Sequence, residues 1–240
     1  MMKNNSLKFL AQELGKRGIA SIRKRGVAVS FMIEIKEDEL LFEDFISDAQ
    51  QWVELLRKDK CFNRVIVIGH SEGSLIGMNL LNIDEFISLA GAGQSADLML
   101  KEQLSSQPII VKEMCFPIIE KLKNGEQVDN VNPMLKTLFR KSIQPYMISW
   151  FKYNPQEDIR KLNIPVLILQ GTTDIQISVK DADLLSDSYK TSKKGVIEGM
   201  NHVLKKVGLN KEENIATYNN PDLPISDELV NVIIHFLSVK

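Results

Sequence analysis

The chain has 240 residues, with thirty basic against thirty-one acidic side chains and a formal charge of −1. That balance gives no preference for nucleic acid or a membrane surface, and 44% hydrophobic residues suit a globular chain with a real core. Cys61 and Cys115 make no disulfide framework and show no metal-ligand spacing, so a reduced, cytoplasmic setting is expected, with no metal and no cofactor.

In "SLKFLAQELGKRG" Leu7, Leu10, Ala11 and Leu14 share one helical face, with Ser6 as the N-cap and Gly18 as the stop. The residues before it carry no signal-peptide apolar region, and no apolar run approaches the roughly 18 residues of a membrane span. "IASIR" reads as a strand. "FEDFISDAQQWVELLRKD" is again helical, through Phe42, Phe45, Ile46, Ala49, Trp52, Val53 and Leu56. Then come the strand "VIVIG", a helix from about Glu72, and the strand "FISLAG" ending at Gly91. From 93 to 163 the alternation stops. Amphipathic helical runs are punctuated there by Pro108, Pro117, Pro133, Pro145 and Pro155, which predicts a helical cap inserted into a core of residues 1–92 and 164–240. The strand "VLILQG" resumes at Val166, and a helix over Val179 to Ser188 and a short strand near "GVIEG" follow. "KEENIATYNNPDLPIS" reads as a polar loop, and "DELVNVIIHFLSVK" as a closing amphipathic helix. The alternation predicts an α/β fold with a mostly parallel sheet.

Gly69-His70-Ser71-Glu72-Gly73 matches G-x-S-x-G with a strand before it and a helix after it. Such a turn forces the serine up at the carboxyl end of the sheet, and its tightness requires small flanking residues. The helix start beneath offers N–H groups and a partial positive charge to a developing oxyanion. A serine hydroxyl needs a base. Of three histidines, His70 lies inside the elbow and is expected to point away, and His235 lies on the closing helix. His202 sits in "EGMNHVLKK", a loop after the last strand, and is the expected base. Asp174, in a turn after "LILQG", is the acid that would fix its tautomer. Chain order is Ser71, Asp174, His202.

With these pieces the chain resembles the α/β-hydrolase superfamily, and within it bacterial esterase-like hydrolases with a helical cap, related to serine aminopeptidase and dienelactone-hydrolase-like groups. The resemblance rests on "GIASIRKRGVAVS", "VIVIGHSEGSLIG", "FISLAGAG", "IPVLILQGTTDIQI" and "GMNHVL". It implies Ser71 as nucleophile, Asp174 as acid, His202 as base and the Glu72 backbone N–H as an oxyanion donor. The chain departs from the family at Arg23 to Ser30, where an aromatic-Asp pair is missing, and in residues 1–6, which match neither the further strands nor the Gly-rich oxyanion loop of the family. A hydrolase shortened at its N-terminus, lacking the usual N-terminal strands, is therefore expected. With it comes the alternative of a catalytically impaired or non-catalytic hydrolase-like protein, since one lost oxyanion donor costs about 10²–10³ in turnover.

The cap supplies Met114, Phe116, Leu135, Phe139, Tyr146, Met147, Trp150 and Phe151, mostly for its own core. Phe116, Phe139, Met147 and Trp150 are the candidates for an apolar substrate pocket. No Lys or Arg cluster offers an anchor for an anion, so a small uncharged ester or thioester is the expected substrate. A serine peptidase uses the same triad and is not separated from an esterase by these residues. A remote alternative is a dinucleotide-binding turn at Gly91-x-Gly93-x-x-Ala96, with Glu113 at the end of "IIVKE" as the ribose-binding acid of a following strand.

Overall fold

In a computed structural model the described residues are 4–19 and 36–238. The strand expected at "IASIR" and the departure at Arg23 to Ser30 lie outside them, apart from Ile19. The described part contains four strands in the order β1-β2-β3-β4, every neighbouring pair parallel: β1 (Ile66–His70), β2 (Glu85–Leu89), β3 (Val166–Gly171) and β4 (Lys193–Ile197). The helices are α1 (Ser6–Gly15), α2 (Phe42–Lys58), α3 (Glu72–Met78), α4 (Ala96–Leu104), α5 (Ile109–Lys123), α6 (Lys136–Phe139), α7 (Gln144–Trp150), α8 (Pro155–Arg160), α9 (Val179–Ser188), α10 (Lys211–Thr217) and α11 (Asp227–Ser238).

The sheet is buried on both faces, and the period-2 alternation of its strands sorts the side chains between two cores. Phe86, Val166 and Ile168 pack with Phe42 and Val53 of α2, Leu75, Ile76 and Met78 of α3, Ile159 of α8, and Ala182 and Leu185 of α9. Ile87, Leu89, Leu167, Leu169 and Ile197 face the other way, onto Leu10 and Leu14 of α1 and Leu229, Ile233 and Phe236 of α11. Fully buried side chains such as Phe42 and Phe86 each contribute about 2–3 kcal/mol against exposure. Trp52, expected on the buried face of α2, is 41% exposed.

The segment between β2 and β3 contains α4 to α8, as its amphipathic runs predict. It has a core of its own, built from Ala96, Cys115, Ile118, Ile119, Leu122, Phe139, Met147 and Phe151. It is fastened to the rest of the molecule by hydrogen bonds. Ser149 Oγ accepts the Phe42 N–H at 2.8 Å, and Glu37 takes both the Arg140 guanidinium and the Ser142 hydroxyl. Those two donors hold the Glu37 carboxyl below its ordinary range.

Three local expectations are corrected. Asn5, not Ser6, is the N-cap of α1; Ser6 is the first helical residue and donates its hydroxyl to the Val203 carbonyl. The polar stretch after Leu209 contains α10, because Asn210 Oδ1 accepts the N–H groups of Glu212 and Glu213 at 2.9 and 3.0 Å and so nucleates a helix in a hydrophilic sequence. "IIVKE" lies within α5, so no strand follows Gly91-x-Gly93 to carry Glu113 to a ribose, and the dinucleotide reading falls. Gly93 is small for another reason: a Cβ there would overlap the Asp181 carbonyl oxygen, and its N–H donates to Asp181 Oδ1 at 3.0 Å.

Candidate active site

All four strands run parallel, so their carboxyl ends share one rim, and the register aligns them closely: His70 pairs with Leu89, Leu89 with Leu169, and Gly171 with Ile197. Ser71 follows β1 directly. Asp174 follows β3 by three residues and His202 follows β4 by five. The parallel topology thus brings three loops distant in sequence to one edge.

Ser71 sits at φ 55°, ψ −122°, a conformation that L-residues rarely adopt, between β1 and the first turn of α3. Gly69 makes that turn possible, because a Cβ there would overlap the Gly73 carbonyl oxygen and the Ser74 backbone. Gly73 is different: a Cβ added to it meets nothing within 4 Å. The requirement for a small residue applies to the first flanking position and not, on steric grounds, to the second.

His202 Nδ1 lies 2.9 Å from Asp174 Oδ2, in a pair almost wholly shielded from solvent. The Asp174 carboxylate is fully engaged. Its Oδ1 accepts the N–H groups of Gln176 and Ile177 at 2.8 and 3.0 Å, and its Oδ2 also accepts from Gln170 Nε2 at 3.0 Å. A carboxylate held by four donors has one orientation, so it can hold the imidazole in one tautomer, with the proton on Nδ1. Gln170 is the participant that strand periodicity hides. It is 1% exposed near the carboxyl end of an apolar strand, and its amide also donates to the Ile177 carbonyl at 2.9 Å. A glutamine inside "VLILQG" was the available signal.

The two loops approach so closely because Gly171 has no side chain; a Cβ there would overlap the Met200 carbonyl oxygen. His70, whose side chain is expected to point away from Ser71, faces the loop that carries His202. Its Nε2 lies 2.8 Å from the His202 carbonyl oxygen, and the two rings are 5.0 Å apart between centroids. Burial, with the adjacent His202, lowers His70 to about 4, so it is neutral at ordinary pH. Among the described residues no hydrogen bond joins the Ser71 hydroxyl to the His202 ring. Ser71 and His202 are tied through the main chain that His70 grips. His235 is exposed on α11.

A cavity of about 50 Å³ lies at Ser71, lined by Glu72, Leu75, Ala92, Met99, Trp150 and Ile177 among others. Of the four aromatic and methionine candidates, Trp150 reaches it. Phe139 and Met147 are buried in the core of the 93–163 segment, with Phe116 packed against that core. Tyr146 joins that segment to the elbow, donating its phenol to Glu72 Oε2 at 2.7 Å. Burial and the Glu72 carboxylate push the phenol above its ordinary range, so it acts as a donor.

The esterase EstD of Thermotoga maritima is 24% identical over 197 residues, covering 75% of this chain and 44% of that protein; the chain spans less than half the length of this curated relative. A bromoperoxidase from Bacillus anthracis superposes with a TM-score of 0.59 at 17% identity, over 98% of this chain and 88% of that one. An esterase from Thermogutta terrifontis gives 0.57 at 13% identity, over 98% and 85%. The chain has the α/β-hydrolase fold. No protein-family model matches it. In α/β hydrolases a strained serine turn between strand and helix presents the hydroxyl at the top of the sheet, which is where this fold carries Ser71. Among the described residues no helix is long and apolar enough to cross a membrane.

Proposed function

We propose that the protein is a serine hydrolase of small carboxylic esters, acting through an acyl-enzyme on Ser71, with residues 93–163 as its cap. The observation that carries this reading is the shielded 2.9 Å pair of Asp174 and His202 at the rim where Ser71 sits in its strained turn. The esterase relative supports ester hydrolysis in general.

In this reading His202 Nε2 takes the Ser71 proton as Oγ bonds to the ester carbonyl carbon. The carbonyl electron pair moves onto oxygen, where the Glu72 N–H at the start of α3 receives it. Collapse breaks the bond to the alcohol, whose oxygen recovers the proton from His202. Water then repeats the cycle on the acyl-serine. Asp174 stays ionised throughout and stabilises the imidazolium. The cavity at Ser71, about 50 Å³ with an apolar wall of Leu75, Ala92, Ala96, Met99, Pro155 and Ile177, favours short, uncharged acyl groups. Thioesters of the same acyl groups fit the same chemistry.

Hydrolysis of p-nitrophenyl acetate, beside labelling by a fluorophosphonate probe, tests the proposal. Both are expected in the wild type and neither in Ser71→Ala. A wild-type chain that neither hydrolyses the ester nor takes the label would overturn it, leaving a hydrolase-like protein without catalysis.

A further inference from the structure

We infer that Asn214, on α10, is a positioning residue that sets the spacing of the acid and base loops; the inference rests on the hydrolase reading above. Asn214 is 3% exposed. Its Nδ2 donates to the carbonyl of Thr173, the residue before Asp174, at 2.6 Å. Its Oδ1 accepts from Nδ2 of Asn201, the residue before His202, at 3.0 Å. One amide therefore spans the two loops one residue behind the pair they carry. Its orientation is fixed by chemistry: reversed, its oxygen would face the Thr173 oxygen and its nitrogen the Asn201 amide nitrogen.

The bridge is held from both sides. Asn201, with no exposed surface, also donates to Thr217 Oγ1 at 2.7 Å and accepts the Lys205 N–H at 3.1 Å. Thr217 Oγ1 in turn donates to the Asn214 carbonyl at 2.7 Å. Lys205, fully buried, brings its ammonium to the carbonyls of Thr217 and Asn220, at the negative end of α10. Below the bridge the loops are already joined by Thr173 N–H to the Met200 carbonyl at 3.1 Å and by Gly199 N–H to Thr172 Oγ1 at 2.9 Å. Those contacts bring the loops together. Of the contacts that link the two loops behind the pair, the amide reaches the residues next to both Asp174 and His202, so it governs the separation on which their 2.9 Å bond depends. With both ends of the Asn214 amide and of the Asn201 amide engaged, the bridge specifies one geometry.

The test compares Asn214→Asp with Asn210→Ala. The first keeps the shape and the acceptor for Asn201, but turns a donor toward Thr173 into an acceptor. The second removes the N-cap of the same helix and leaves the bridge untouched. Each is measured by thermal unfolding, by kcat and KM on p-nitrophenyl acetate per folded molecule, and by the downfield proton resonance of His202 Nδ1–H. For Asn214→Asp the expected result is a kcat lower by about 10- to 100-fold with KM within about twofold, and a shifted or broadened resonance. For Asn210→Ala the expected result is a lower melting temperature alone. The inference is overturned if folded Asn214→Asp keeps kcat within twofold and an unchanged resonance, or if Asn210→Ala loses kcat to the same degree. Should Asn214→Asp not fold, Thr217→Val, which removes a partner of Asn201 at constant shape, is read by the same criteria. A wild type inactive toward esters and probe would sink the hydrolase reading, while the resonance would still decide whether the bridge sets the pair.

Discussion

His70 Nε2 lies 2.8 Å from the main-chain oxygen of His202, so the residue preceding Ser71 holds the backbone of the residue assigned as its base. A carbonyl only accepts, and His70 therefore carries its proton on Nε2. The turn that carries Ser71 and the loop that carries His202 are thereby one mechanical unit, although 132 positions separate His70 from His202 in the chain.

That contact has a pH signature. His70 falls from an ordinary 6.5 to about 4 in the folded chain, because burial and the neighbouring His202 disfavour its charged form. Between those values the unfolded chain binds more protons than the native one, so stability is fully present above pH 6.5 and is lost as pH falls toward 4. Urea unfolding across this window is expected to show a His70 contribution of up to about 1.4 kcal/mol per pH unit. His70→Asn should flatten that part of the slope. An unchanged slope would mean that His70 is not the group responsible.

The backbone of Ser71 stores strain. At φ 55° a serine costs about 1–3 kcal/mol that glycine does not. Ser71→Gly and Ser71→Ala are both expected to abolish acylation, since each removes the hydroxyl. Only the glycine variant should gain stability, by about 1–2 kcal/mol over the alanine variant in chemical unfolding. Equal stabilities would show that the turn is not strained.

The two glycines of the elbow should respond oppositely. Gly69→Ala pushes a methyl into the backbone of Gly73 and Ser74, and is expected to cost several kcal/mol or to prevent folding. Gly73→Ala meets open space in the first turn of α3 and is expected to be neutral or stabilising by up to about 1 kcal/mol. Melting temperatures of the two variants separate these outcomes.

Gln170 is expected to matter through Asp174. Gln170→Leu fills similar space but leaves Asp174 Oδ2 without one of its donors and the Ile177 carbonyl without its amide partner. A hydrogen bond to a charged group is worth about 1.5–3 kcal/mol, so kcat/KM should fall by about 10- to 100-fold. Gln170→Glu, which sets a second carboxylate beside the first, should be worse. Steady-state kinetics on p-nitrophenyl acetate measures both, and wild-type values in either would show that Asp174 needs no fourth donor.

The local pattern was sufficient for much of this protein. Alternating apolar runs place β1, β3 and α9 where the structure has them, because strand and helix periodicities are properties of neighbouring residues. The G-x-S-x-G turn, Asp174 and His202 could be named for a related reason: each follows a strand, and parallel strands end on one rim. Residues 93–163 were legible as helices, but which side chain reaches Ser71 was not. Phe139, Met147 and Trp150 are equally apolar in sequence, and only packing buries the first two and brings Trp150 to the cavity. Tertiary structure alone also decided the roles of Gln170, His70 and Asn214. The partners of His70 and Asn214 lie 132 and 41 residues away, and that of Gln170 lies across the turn after its own strand, and such side-chain hydrogen bonds leave no period in the sequence. The chain itself specifies which groups can react; the folding of its loops onto a shared edge decides which groups hold them still.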